Sequence, residues 1–242
     1  MIRKLTYRFE LKFLIDWPAY LRIRNQIQPF VGLDSYSLSG GRYSILSLYY
    51  DSPNFDCYYD KIDGNDRRHK LRVRWYLNEQ GGKETAFLEL KKKINYGTLK
   101  SRLKIDSNDL TDFFRNKKDC FKRVCKDVRQ EEIAKEMLFY YSVQNLKPVV
   151  YTHYLREAYI GKCENRLRIT FDMKISCKPG TCSREFDYSS RNYIFNPYYM
   201  VFEIKGFHDL PNWLVSIISS NNLQRQSISK YCLAVEKAHL LI

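Results

Sequence analysis

The sequence predicts an α+β chain built on a closed, eight-stranded antiparallel β-barrel clad with helices. Three observations predict it. About eight stretches alternate with period two, with charges on one face and aliphatic or aromatic residues on the other. Helical signals with apolar stripes are dispersed between these stretches and are not gathered at one end. Aromatic residues are abundant, with 20 Tyr, 14 Phe and 3 Trp, which suits strands.

In order, "YRFELKFLI" (7–15) sets Arg8, Glu10 and Lys12 opposite Phe9, Leu11 and Phe13. Asp16 then caps a helix with Pro18 in its first turn, running towards Gln28. "RYSILSLYYD" (42–51) is a more neutral strand. In "HKLRVRWYL" (69–77), Lys70, Arg72 and Arg74 oppose Leu71, Val73 and Trp75, so one face is purely cationic. "TAFLELKKKI" (85–94) sets Glu89, Lys91 and Lys93 opposite Leu88 and Leu90. "GTLKSRLKI" (97–105) sets Lys100, Arg102 and Lys104 opposite Leu99, Leu103 and Ile105. Short helices follow over 107–116 and about 129–142. "KPVVYTHYLREAYI" (147–160) and "NRLRITFDMKI" (165–175) pair around Gly161, the second presenting Arg166, Arg168, Thr170, Asp172 and Lys174 on one face. "YMVFEIKGF" (199–207) sets Glu203 and Lys205 opposite Phe202 and Ile204. Pro211 opens one helix, and Ser229 caps the last. A flat sheet with exposed charges would satisfy the same alternation. The dispersed helices favour closure, because their apolar stripes need a sheet surface and a closed barrel has no long edge.

No repeat or linker divides the 242 residues, so a single domain over 1–242 is expected. The formal net charge of +14 calls for a polyanionic partner. The seven cysteines form no CxxC pair, and no His completes a zinc site at either C-x4-C spacing, so reduced thiols are expected. The sequence shows no apolar signal core and no run of the roughly 18 apolar residues a membrane span needs. A cytoplasmic protein with no membrane span of its own is the expectation.

Cations gathered in a barrel repel one another and lose water, so they need anions. Glu10, Glu89 and Glu203 each precede a lysine by two positions (Lys12, Lys91, Lys205), on one strand face and about 7 Å apart by strand rise. Carboxylates suit Mg²⁺ or Mn²⁺, and Lys and Arg suit phosphate oxygens. Together they describe a site for metal-bridged phosphates.

The ordered set "RFELKF", "KLRVRWY", "FLELKKK", "LKSRLKI", "HYLREAY", "LRITFD", "FEIKG" and "SKY" resembles the VTC domain. That is the polyphosphate polymerase branch of the triphosphate tunnel metalloenzyme (CYTH-like) superfamily, and the resemblance runs from about Tyr7 to the last helix. It implies an eight-stranded tunnel that lengthens inorganic polyphosphate with the γ-phosphate of ATP and releases ADP. It further implies that Lys12, Arg72, Arg74, Lys91, Lys100, Arg156, Arg168, Lys205 and Lys230 bind phosphates. Glu203 would hold the metal, with Glu10 and Glu89 as further candidates, and Tyr154 would lie near the base. Lys230 also sits in a first helical turn, where anions are favoured. Tunnel triphosphatases read Glu-x-Glu-x-Lys on the first strand, whereas this chain reads Arg8-Phe9-Glu10-Leu11-Lys12. The missing carboxylate weakens a hydrolase, and phosphoryl transfer needs positioning and charge rather than a Ser, Cys or His nucleophile.

Two other classes remain: a metal-dependent triphosphatase of the same fold, and a non-catalytic polyphosphate- or nucleic-acid-binding module. Nucleic acid is disfavoured because the cations follow strand periodicity and no recognised RNA- or DNA-binding pattern occurs. Lys117, Lys118, Lys122, Arg123 and Lys126 read as a solvated surface, with docking of an acidic partner or emerging polyphosphate as the lesser alternative, His153 as structural, "GGKE" (81–84) as a turn, and 187–200 as packed or loop aromatics with a lid as the lesser alternative.

Overall fold

The computed structural model describes residues 8–35, 41–77, 85–95, 97–164, 166–180, 189–207 and 209–240. The elements run β1 (Arg8–Asp16), α1 (Trp17–Ile27), β2 (Val31–Leu33), β3 (Tyr43–Asp51), α2 (Asp56–Ile62), β4 (Arg67–Leu77), β5 (Thr85–Ile94) and β6 (Gly97–Asp106). A 3₁₀ turn (Ser107–Asp109) leads into α3 (Leu110–Phe114), α4 (Lys118–Val124) and α5 (Val128–Val143). Then come β7 (Lys147–Gly161), β8 (Arg168–Pro179), β9 (Asn192–Tyr193), β10 (Tyr199–Phe207), α6 (Asn212–Ser220) and α7 (Lys230–Lys237). The expected turn at 81–84 and part of the 187–200 segment lie outside the described residues.

The strands form one ten-stranded sheet in the order β1-β10-β8-β7-β3-β4-β5-β6, with β2 paired to β7 and β9 to β8 off this path. The eight expected strands are all present, but the closed barrel is corrected: among the described residues the sheet ends at β1 and β6. Alternation fixes which side chains share a face. Closure additionally requires matched tilt and shear, which period two does not encode. Both end strands carry charges, a device that protects open edges.

The described residues group into two compact units. The first is drawn from Met1–Ser44, Tyr154–Ser176 and Tyr193–Ser229. Asp16 accepts from Ala19 N at 2.9 Å and starts α1, whose Ala19, Tyr20, Ile23 and Ile27 face inward at helical spacing. They pack on Phe13, Ile15, Ile169, Phe171, Phe202 and Ile204, with Phe171 and Phe202 stacked at 5.0 Å. β1 and β10 pair so that Phe9 lies opposite Gly206, and a Cβ there would collide with the Phe9 ring.

The second unit is drawn from Ile45–His153, Cys177–Asn192 and Lys230–Ile242. Its core joins Leu71, Val73, Leu88, Leu90, Leu103 and Ile105 of β4–β6 to Phe113, Val124, Ala134 and Met137 of α3–α5. Asp127 caps α5, accepting from Gln130 N at 2.8 Å. Asp51, fully buried at the end of β3, accepts from Cys57 N (2.8 Å) and Tyr58 N (3.0 Å) and so caps α2; it also accepts from Tyr231 Oη of α7. The six described cysteines are free thiols, five of them buried.

Candidate anion-binding site

Each unit carries a charged sheet face. In the second unit, strand pairing places side chains in rows, because directly opposed residues point the same way. Lys70, Lys91 and Lys100 form one row across β4, β5 and β6, and Arg72, Glu89 and Arg102 form the next. Arg68 and Lys93 flank on one side, and Arg74, Phe87 and Lys104 on the other. Four cations of β4, two of β5 and three of β6 thus share a face with Glu89, the one carboxylate in those rows.

Glu89 is buried and ringed by cations. Its carboxylate lies 2.7 Å from Arg72, 2.6 Å from Lys100, 3.2 Å from Arg102 and 3.9 Å from Arg74. Burial alone would raise its pKa, but Arg72, Arg74 and Lys100 outweigh it and hold the group well below the usual carboxylate range. Neighbours orient the cations. Arg72 donates to Tyr49 Oη at 3.1 Å, and Arg74 to Ser47 Oγ at 3.3 Å. Arg102 stacks 3.8 Å over Phe87 and donates to Tyr76 Oη at 2.9 Å. Burial would raise the Tyr49 phenol too, yet Arg72, Arg74 and Lys70 bring it down to about 8.

The first unit is balanced instead. Across β1, β10 and β8, Glu10 opposes Lys205 and Arg168, and Lys12 opposes Glu203 and Thr170. Lys12 Nζ lies 3.0 Å from Glu10 and 3.6 Å from Glu203, and donates to Ile228 O at 2.9 Å. Glu203, buried, also takes Lys205 at 2.7 Å and has Arg156 at 3.9 Å. Arg156 forms two parallel bonds to Asp172, at 2.6 and 2.7 Å. Arg168 reaches Asp34 at 2.7 Å and Tyr43 Oη at 3.1 Å. Burial pushes the Lys205 ammonium down to about 8, although Glu203 and Glu10 favour its charged form.

The sequence-derived set therefore falls into two groups. Arg72, Arg74, Lys91, Lys100 and Glu89 share the cationic face, while Lys12, Glu10, Glu203, Lys205, Arg156 and Arg168 gather on the balanced one. Lys230 opens α7 in the second unit. Tyr154 is fully buried, with the Arg156 guanidinium 5.2 Å from its ring. His153 is buried, and burial with Arg191 lowers its pKa to about 4, so it is neutral at pH 7. Lys70 and Arg102 were left out of that set, although alternation placed them on the same faces as chosen residues. Asp34, Asp172 and Tyr49 also belong to these networks; Asp34 and Tyr49 had no signal in the sequence.

Among the described residues, no three His, Cys, Asp or Glu side chains converge as a metal cage. Glu203 and Glu10, both on Lys12, fit a hard cation only in the mode where one or two carboxylates are completed by substrate phosphates. Glu89, with four cations around it, does not fit one.

Comparison with known proteins decides the family. The VTC domain family model matches residues 7–239. The chain belongs to the VTC domain family. Vacuolar transporter chaperone complex subunit 4 of Schizosaccharomyces pombe is 26% identical over 148 residues, 55% of this chain and 20% of that protein. This VTC-domain chain thus matches about a fifth of that relative's length. Among solved structures, a putative adenylyl cyclase from Hippeastrum, described as having a dominant triphosphatase activity, aligns with TM-score 0.52 and 14% identity over 98% of both chains. A putative adenylate cyclase from Bacillus halodurans aligns with TM-score 0.50 and 11% identity over 91% of this chain and 92% of that one. At these identities the two structures establish a shared fold and nothing further.

Proposed function

We propose that this VTC domain is an ATP-dependent polyphosphate polymerase acting in the cytoplasm. A terminal oxygen of inorganic polyphosphate attacks the γ-phosphorus of ATP. The new P–O bond forms as the bond to the β-phosphate oxygen breaks, and ADP leaves. The observation that carries the reading is the β4–β6 face, where strand register sets nine cations on one face with a single carboxylate. Such an excess of positive charge favours binding of a dense polyanion. Arg72, Arg74, Lys91, Lys100 and Arg102 would stabilise charge on the transferring group through charge-assisted bonds. Lys230 would add a further phosphate contact in the second unit; in the first unit Lys12, Lys205, Arg156 and Arg168 would likewise take phosphate oxygens, and Tyr154 would support Arg156. Bound Mn²⁺ or Mg²⁺, held by Glu203 with Glu10, would neutralise phosphate charge. Membership of the VTC domain family supports a phosphate-polymer role.

The test incubates purified protein with ATP and Mn²⁺ or Mg²⁺ and measures polyphosphate, ADP and orthophosphate separately. ADP in step with polyphosphate is expected. Orthophosphate released from triphosphate, with no polymer, would replace the polymerase by a triphosphatase.

A further inference from the structure

The Arg72–Glu89–Arg102 row holds its own anion, and the adjacent Lys70–Lys91–Lys100 row has no carboxylate of its own. Lys100 leans towards Glu89, 2.6 Å away. Lys70 does not. No ion pair reaches its ammonium among the described residues, and it rests 4.4 Å over the ring of Tyr231. The nearby Asp51 is already used by two α2 amides, Ser52 N and the Tyr231 hydroxyl. Tyr231 is itself held against Tyr49, with ring centroids 5.2 Å apart, and Tyr49 receives Arg72. An aromatic shelf therefore fixes a half-buried ammonium one row beyond the arginines. Its desolvation lowers the ammonium pKa, the mark of a cation short of counter-charge.

We propose that Lys70 binds substrate phosphate directly, adding an inorganic-phosphate subsite to the face at the lysine row. This rests on the polyphosphate reading above. A cation–π contact alone leaves most of an ammonium's hydrogen-bonding capacity unused, since all three N–H groups are donors. A phosphate oxygen supplies the missing acceptors and the missing charge.

The experiment measures the Kd of inorganic triphosphate and the Tm without ligand, for wild type, Lys70→Met, Lys70→Arg and the surface control Lys117→Met. Lys70→Met keeps the aliphatic stem over the Tyr231 ring. It should weaken triphosphate binding by about tenfold, the scale of one charge-assisted bond, with Tm nearly unchanged. Lys70→Arg should recover most of the affinity, and Lys117→Met should leave it untouched. Wild-type affinity in Lys70→Met, or a lowered Tm with unchanged Kd, makes Lys70 a structural prop and overturns the inference. If Lys70→Met does not fold, Lys70→Arg decides: loss of affinity in that charge-retaining variant overturns the inference, and retained affinity supports it. If wild type itself fails to bind triphosphate, the polyphosphate reading falls first and takes this inference with it.

Discussion

The two charged faces solve the same problem in opposite ways. On the charged face of the first unit, four cations each have a carboxylate beside them: Lys12 with Glu10, Lys205 with Glu203, Arg156 with Asp172, and Arg168 with Asp34. In the second unit four cations share Glu89, and further lysines line the same rows. The first face is self-sufficient, so a ligand there must exchange with contacts already made. The second is held together by one buried anion and is short of negative charge. The carboxylates proposed to hold a metal therefore lie on the balanced face, and the excess of cations proposed to take polyanions lies on the other.

The largest expected effect separates the two carboxylates. Glu89→Gln removes the anion common to four cations, and uncompensated buried charge costs about 3–5 kcal/mol. At about 2–4 °C per kcal/mol for a chain of this size, Tm should fall by roughly 6–20 °C. Saturating inorganic triphosphate should return most of that, since a ligand at a thousandfold excess over Kd contributes about 4 kcal/mol. Glu203→Gln should fall less, because Lys12 keeps Glu10 and Arg156 keeps Asp172. It should instead lose Mn²⁺-dependent turnover while still binding triphosphate. Thermal melts with and without triphosphate, beside Mn²⁺ titrations of activity, check both. If the two variants behave alike, the distinction between the faces fails.

Next comes Arg72→Ala. It removes the 2.7 Å contact to Glu89 and one donor to bound phosphate, while Arg74, Lys100 and Arg102 still neutralise the carboxylate. Turnover should drop by about 10²-fold or more, the usual scale for one donor to transition-state charge. The unliganded Tm should not fall, because a repelling cation has gone. A variant with near-normal turnover, or one that is active but melts early, would assign Arg72 to structure.

Much of this was legible in the sequence, and the boundary of legibility is physical. The alternation in "HKLRVRWY" correctly placed Lys70, Arg72 and Arg74 on one face, because period two is local. The pairing of Arg72 with Glu89 and Arg102 was not legible, since it depends on register between strands. Helix α2 was missed because its cap, Asp51, lies upstream of the helix start and Phe55 enters in a left-handed conformation at φ 57°. Asp34 on Arg168 and Tyr231 on Asp51 join residues more than a hundred positions apart. Closure failed as an expectation because nothing in a strand's own pattern states what lies beyond its edge.

The smallest effect concerns Tyr49 and pH. The groups facing its phenol are Arg72, Arg74 and Lys70 of β4 and the Tyr231 ring of α7. Its pKa of about 8 lies below the ordinary 10, so the folded state favours the phenolate. For an acid with a depressed pKa, the stabilisation is complete above the unfolded value and is lost as pH falls through the folded one. Relative to Tyr49→Phe, the wild type should therefore gain unliganded stability as pH rises from about 8 to 10, with no such gain below 8. Triphosphate binding should move oppositely. A phenolate places a second anion among the cations that phosphate needs, so wild-type affinity should fall several-fold over that window while Tyr49→Phe declines less. Ultraviolet titration of the phenols, with melts and triphosphate titrations at pH 7, 8.5 and 10, checks each part. A normal tyrosine titration near 10, with parallel pH curves for both proteins, would remove Tyr49 from the charge balance of the cationic face.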